Sequence, residues 1–156
     1  MNDTAFLAIF PFLFIGIWLL ATTMVWLLSG WRSLQERFPD RDELPLERLR
    51  FQSAIFGGSF FGASYGNCLC FGVCRSGLRV AVWRVFAPWS RPFFVPWTAI
   101  RTEPKRFLGL PHYIIGFYRL RCGDPEVQSM ILTDRAARRI LEGSQGGLQL
   151  PPKGHS

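Results

Sequence analysis

From Ala5 to Leu28 the chain reads AFLAIFPFLFIGIWLLATTMVWLL, without one charged residue. At about 1.5 Å of rise per residue, a helix of that length outreaches the ~30 Å hydrocarbon core of a bilayer. It is apolar on every side, and a chain of 156 residues has too little else to bury it in water. The reading is therefore a single transmembrane anchor over residues 1–30. A cleaved signal peptide would need a basic start, a shorter apolar run and a small-residue cleavage site, and the first two requirements are not met. Pro11 lies early in the anchor and removes one backbone hydrogen bond. Gly16 and Ala21 are five apart and make no GxxxG pair. Thr22 and Thr23 are its hydroxyl residues, and with no ionisable group inside it transport along the helix is not expected.

Charge gives the expected orientation. Asp3 precedes the anchor, and Arg32, Arg37 and Arg41 follow it. The positive-inside bias then places the N-terminus outside and the rest in the cytoplasm, as in a cell inner membrane. Trp26 and Trp31 flank the exit, where indoles favour the headgroup layer. In residues 31–47, Trp31, Leu34 and Phe38 share the side of a short helix expected at the membrane interface. The segment PDRDELPLE that follows reads as a linker.

Beyond Leu46 the hydrophobic period changes from 3.6 to 2, and a mainly-β domain is expected over residues 48–143. In RLRFQSAIF, Leu49, Phe51, Ser53 and Ile55 are expected on one face. GGSFFGASYGN reads as a glycine-rich turn, NCLCFGVC as a second strand, and Arg75-Ser76-Gly77 as a tight turn. LRVAVWRVF is a third strand with Leu78, Val80 and Val82 inward. FFVPW is a fourth, which Pro96 confines to an edge or bulge. AIRTEPKRF, HYIIGFYRLR (Ile114, Tyr118 and Leu120 on one face) and VQSMIL complete seven strands. TDRAARRILEGS is a helix, capped by Thr133 or Asp134, with Ala136, Ala137, Ile140 and Leu141 apolar and Gly143 at its end. Residues 144–156, rich in Gly and Pro, read as a disordered tail. Seven strands and a closing helix predict a partly open antiparallel barrel with a C-terminal helix, the pleckstrin-homology (PH)-like architecture.

Three segments carry a resemblance: YGNCL (Tyr65 to Leu69), SGLRVAVWRVF (Ser76 to Phe86) and PFFVPWTAI (Pro92 to Ile100). They resemble an uncharacterised family of small bacterial membrane-anchored proteins, over roughly Gln52 to Ile100. The turn at Gly77, its flanking strands, and Trp97 with Ile100 are also similar to bacterial PH-like and GRAM-like domains. Arg79, where that family usually has an aromatic, and the loop Ala87-Pro88-Trp89-Ser90 depart from its pattern. The resemblance implies the fold and carries no activity.

For function, the basic balance is the most informative feature. The net charge of +7 comes from Arg75 to Cys122, where nine basic residues face Glu103 alone. Arg79, Arg84, Arg91, Lys105, Arg106, Arg119 and Arg121, with Trp89 in its Pro-rich loop, are the candidate binding residues. They would meet a partner protein, with the chain as accessory subunit of a larger membrane complex, or the anionic membrane surface, where each basic residue gains about 1 kcal/mol; the plain alternative is a solvated face. Nucleic acid is disfavoured for a tethered domain without a binding motif. Trp83, Trp89, Trp97, Phe86, Phe93 and Phe94 form an aromatic cluster, mostly core, with Trp89 the one expected at the surface.

No motif commits the chain to catalysis, so no enzyme activity, cofactor or metal is expected. Cys68, Cys70 and Cys74 would share one face of a regular strand, and with Cys122 they raise the alternative of a thiol- or metal-dependent redox protein. A C-x-C pair on a straight strand holds its sulfurs poorly for one tetrahedral ion, and small buried thiols are the simpler reading. His112 and His155 have no acid and nucleophile arranged beside them. Asp124 and Glu126 flank Pro125 in a turn. Gly57, Gly58 and Gly62 do not lead into a phosphate-binding helix.

Overall fold

An apolar helix leads into a curled sheet, and the residues that join them enter the core of the sheet. The computed structural model describes residues 3–57, 62–105, 116–123 and 125–148. Helix α1 (Asp3–Leu28) runs through Pro11, and its apolar side chains from Phe6 to Leu28 are largely exposed. It is long and apolar enough to cross a membrane. The chain breaks at Ser29 and Gly30 and restarts as α2 (Trp31–Arg37). Gly30 has φ 69°, and a Cβ there would collide with the Gln128 side chain, so the break requires glycine.

Seven antiparallel strands follow: β1 (Glu47–Gly57), β2 (Gly62–Val73), β3 (Gly77–Val82), β4 (Phe93–Pro96), β5 (Ile100–Lys105), β6 (Phe117–Cys122) and β7 (Gln128–Thr133). Their order is β4-β3-β2-β1-β7-β6-β5. The two end strands are thus consecutive in sequence, joined by a 3-10 turn at Trp97–Ala99. The sheet curls into a nearly closed barrel with Pro96 and Pro104 both on end strands, where a missing ladder donor does least harm. Helix α3 (Asp134–Gly143) starts where the Thr133 side chain accepts from the Ala136 N–H, and buries Ala136, Ala137 and Ile140 in the barrel core.

Several strand expectations shift. The inward face of β1 changes partway: Leu49 is buried, Phe51 is 57% exposed, and Ala54 and Phe56 are buried instead of Ser53 and Ile55. Register shifts on either side of Gln52, with Phe51 at φ 57° and Asn67 at φ 51°, mark a β-bulge that reverses the alternation. Gly62 to Gly66, read as a turn, belong to β2, because Tyr65 packs edge-on to Phe56 and beside Trp31. β3 stops at Val82, and Trp83 to Phe86 turn away from the sheet. The part of the sixth-strand expectation that includes Ile114 lies outside the described residues, while Tyr118 and Leu120 are buried on one face. Ser144 and Leu148, expected in the tail, are buried, and the Ser144 hydroxyl accepts from the Leu148 N–H at 3.1 Å.

The largest difference concerns the connector. Trp31 and Leu34 are expected at a membrane interface but are 0% and 1% exposed. Trp31 meets Phe93, Phe56 and Tyr65 at ring-centroid distances of 4.8, 5.2 and 5.6 Å. The same three-and-four spacing that suits a lipid face suits a barrel core, and the sheet supplies the closer apolar surface. Residues 39–46 then run as a strap over the outside of the sheet. Pro39 bridges Phe93, Arg41 lies over the Phe94 ring, Asp40 pairs with Arg79, and Glu43 bonds Ser76. The strap explains why Phe93 and Phe94, on opposite faces of β4, are both buried.

Candidate functional site

The anchor enters the barrel through a small polar knot. The Ser29 hydroxyl donates to the Trp26 carbonyl at 3.0 Å and accepts from the Tyr65 hydroxyl at 3.1 Å and the Trp31 N–H at 3.3 Å. The Ser29 carbonyl accepts from the Gln128 side chain at 2.9 Å. Burial pushes the Tyr65 phenol pKa up, and the Ser29 bond opposes this. The Trp31 indole N–H and the Gln35 amide both donate to the Arg91 carbonyl, at 2.9 and 2.8 Å. The segment between β3 and β4 is thereby tied to the base of α1.

That segment exposes three large apolar side chains close together in sequence. Val85 is 65%, Phe86 53% and Trp89 56% exposed, with Ala87 turned inward. Trp89 is thus at the surface as expected, and Trp83 and Phe86, expected as core, are exposed because β3 ends before them. Between this segment, α2 and the end of α1 lies an open cleft of about 790 Å³, lined by Trp26, Arg32, Glu36, Arg84, Trp89 and Arg91 among others. Glu36 is paired with Arg32 at 2.9 Å, while Arg84 and Arg91 have no carboxylate partner among the described residues.

A second concavity of about 410 Å³ lies on the outer face of β1, β2 and β3. Arg48 and Arg79 stand opposite Gly72 from either side, Arg50 and Trp83 line the same groove, and Pro45 of the strap approaches Gly72. Trp83 packs at a tilt against Phe51 with centroids 5.1 Å apart and donates its indole N–H to the Cys70 sulfur at 3.1 Å. The bulge that turns Phe51 outward therefore places it against Trp83, which lines this surface. Phe51 is expected inward, because nothing local marks where a bulge falls, while Arg48 and Arg50 face outward as the alternation predicts but are not among the expected binding residues.

The eight candidate residues do not form one surface. Arg84, Trp89 and Arg91 gather beside the base of α1. Arg79 lies on the outer groove, paired with Asp40 at 2.5 Å. Arg119 and Arg121 are half-buried on β6, where Arg121 meets Glu103 at 3.1 Å and Glu126 at 3.2 Å. Lys105 ends β5, and Arg106, with His112, Asp124 and His155, lies outside the described residues.

The cysteines do not share a face. Cys68 sits in the core, Cys70 lines the outer groove, Cys74 lies beyond the end of β2, and Cys122 is buried on β6; all four are free thiols. The expected common face fails because the irregular register at Asn67, φ 51°, brings Cys68 into the core beside Leu69, while regular alternation from Leu69 leaves Cys70 outside. Burial raises the Cys68 and Cys74 thiol pKa values and pushes Cys122 up to about 12, the opposite of an activated nucleophile. Among the described residues, no group of three or more His, Cys, Asp or Glu side chains is placed to hold a metal ion.

Fold and surface together define an antiparallel barrel whose core takes in Trp31 and Leu34 directly after an exposed apolar helix. No family model, curated protein or solved structure matches the chain.

Proposed function

We propose that this protein is a single-pass membrane-tethered, PH-like interaction module without catalytic chemistry. Its N-terminus lies outside, its barrel lies in the cytoplasm, and it docks a partner protein as an accessory subunit of a membrane complex. The observation that carries this reading is the embedding of Ser29 and Trp31 in the barrel core directly after α1. An apolar helix continuous with the core holds the barrel in one orientation, so the outer face of β1–β3 is presented at a constant angle to the bilayer. That face offers Arg48, Arg50, Arg79, Phe51 and Trp83, a mixture of guanidinium and aromatic groups suited to an acidic protein surface.

The test is purification of the intact chain in mild detergent, with identification of what accompanies it. A stoichiometric membrane-protein companion is expected, lost with Arg48→Glu plus Arg50→Glu and retained when α1 is exchanged for an unrelated apolar helix. A companion that follows the helix and ignores the groove would make α1 itself the binding surface. Stoichiometric zinc, or unfolding on chelation, would favour a thiol- and metal-dependent protein instead.

A further inference from the structure

The cleft at the base of α1 has a different chemistry from the outer groove, and its place in the fold says what it can meet. We infer that it binds the phosphate headgroup of an anionic phospholipid, with Arg84 and Arg91 on the phosphate and Val85, Phe86 and Trp89 entering the acyl boundary. The inference rests on the reading of α1 as a membrane span. Four observations converge on it. The cleft begins at Trp26, in the last turn of the apolar helix, which puts it at headgroup depth if α1 spans. The carboxylates on its far wall are engaged, Glu36 by Arg32 and Asp40 by Arg79, so Arg84 and Arg91 supply the cleft's uncompensated charge among the described residues. Basic groups at that depth face a negatively charged leaflet. Val85, Phe86 and Trp89 expose apolar surface on the same segment, which water disfavours and the acyl boundary does not. Finally, the two bonds to the Arg91 carbonyl hold the segment against α2, so it cannot swing clear of the membrane surface.

The full-length chain in a neutral detergent is titrated with phosphatidylglycerol and, separately, with phosphatidylcholine, and bound lipid is counted by native mass spectrometry. Phosphatidylglycerol adducts should dominate. Arg84→Gln with Arg91→Gln should weaken them about 25-fold, roughly fivefold for each arginine held near an anionic surface. Phosphatidylcholine adducts and the melting temperature should not change, because neither arginine side chain holds the fold together. Arg138→Gln, on the exposed side of α3, should leave phosphatidylglycerol binding intact. Equal binding of the two lipids, or an equal loss with Arg138→Gln, would overturn the inference. Competition by soluble glycerol phosphate at millimolar concentration would assign the cleft to a free phosphate ester instead.

In vesicles whose lipids carry bromine high on the acyl chains, Trp89→Phe should remove a distinct share of tryptophan quenching; an unchanged quenched fraction means the segment stays in water. Alkaline carbonate extraction separates the two levels of failure. A chain released by carbonate removes the membrane reading itself, whereas a retained chain without lipid preference removes only the cleft.

Discussion

The indole N–H of Trp31 donates to the backbone carbonyl of Arg91 at 2.9 Å, across 60 residues of chain. One bond thus links the first turn after the apolar helix to the segment between β3 and β4. The same indole is wholly buried against Phe56, Tyr65 and Phe93. Trp31 is at once a core residue of the barrel and the fastening of the exposed segment between β3 and β4.

Trp31→Ala should lower the stability of the detergent-solubilised protein by about 3–5 kcal/mol, the range for truncating a buried aromatic. Trp31→Phe keeps most of the packing, loses the bond to Arg91, and should cost nearer 1 kcal/mol. Thermal unfolding followed by circular dichroism distinguishes them, and equal losses would contradict the buried placement. A fragment beginning at Ser29 should fold, while one beginning at Pro39 should not.

Asn67 holds the β1–β2 bulge. Its φ is 51°, its N–H donates to the Ser53 hydroxyl at 2.9 Å, and its side-chain oxygen accepts from that hydroxyl at 3.0 Å. Asn67→Ala should destabilise by about 1–2 kcal/mol, adding left-handed strain to a lost hydrogen bond. Asn67→Gly, which accepts that φ freely, should cost less. Denaturant titrations of the pair decide the point; an alanine variant as stable as the glycine variant would mean the bulge carries no strain.

Thiol reactivity should follow burial. Alkylation of the native protein at pH 8, read by mass spectrometry, should label Cys70 first and spare Cys68, Cys74 and Cys122 until the chain unfolds. The pH dependence has a definite sign. The fold raises the pKa values of those three thiols, so the folded state keeps protons that the unfolded chain releases above the ordinary thiol value of about 8.5. Their contribution is complete below that pH and is lost as pH climbs towards about 12, the Cys122 value. Stability in urea should therefore be lower at pH 10 than at pH 7.5. Rapid native labelling of Cys122 would overturn its placement.

Glu43 works in the acid direction. Hydrogen bonds from the Ser76 hydroxyl and N–H hold its carboxyl below the usual range. A depressed carboxylate pKa contributes stability above the unfolded value, about 4.3, and loses it as pH falls through the folded value. Ser76→Ala should return the Glu43 titration, followed by carboxyl NMR, towards 4.3 (roughly the free side-chain value) and loosen the strap near β3. The side chain is close to solvent, so the effect on global stability should be small. An unmoved titration would detach Glu43 from the strap.

Much of the architecture is legible in local pattern. Leu78, Val80 and Val82 alternate inward as read, Thr133 caps α3, and Pro96 marks an end strand. These features depend on near neighbours, and periodicity reports near neighbours directly. The candidate surfaces are less legible. Arg84, Trp89 and Arg91 were visible as residues, but their nearness to Trp26 follows from how α2 packs under β4. Phe51 could not be placed, because the irregular register around Gln52 turns it outward, whereas Arg48 and Arg50 keep the outward face that alternation with Leu49 gives them.

The apolar run from Ala5 to Leu28 needed nothing beyond its own composition to be read as a helix able to span a bilayer, because apolar character on every side and backbone hydrogen bonding within the segment are local properties. Where that helix ends was another matter. The spacing of Trp31, Leu34 and Phe38 is equally compatible with lipid and with a protein core, since both are apolar and periodicity records only that one side avoids water. Only the folded barrel, offering Phe56, Tyr65 and Phe93 at ring-contact distance, decided that Trp31 belongs inside it.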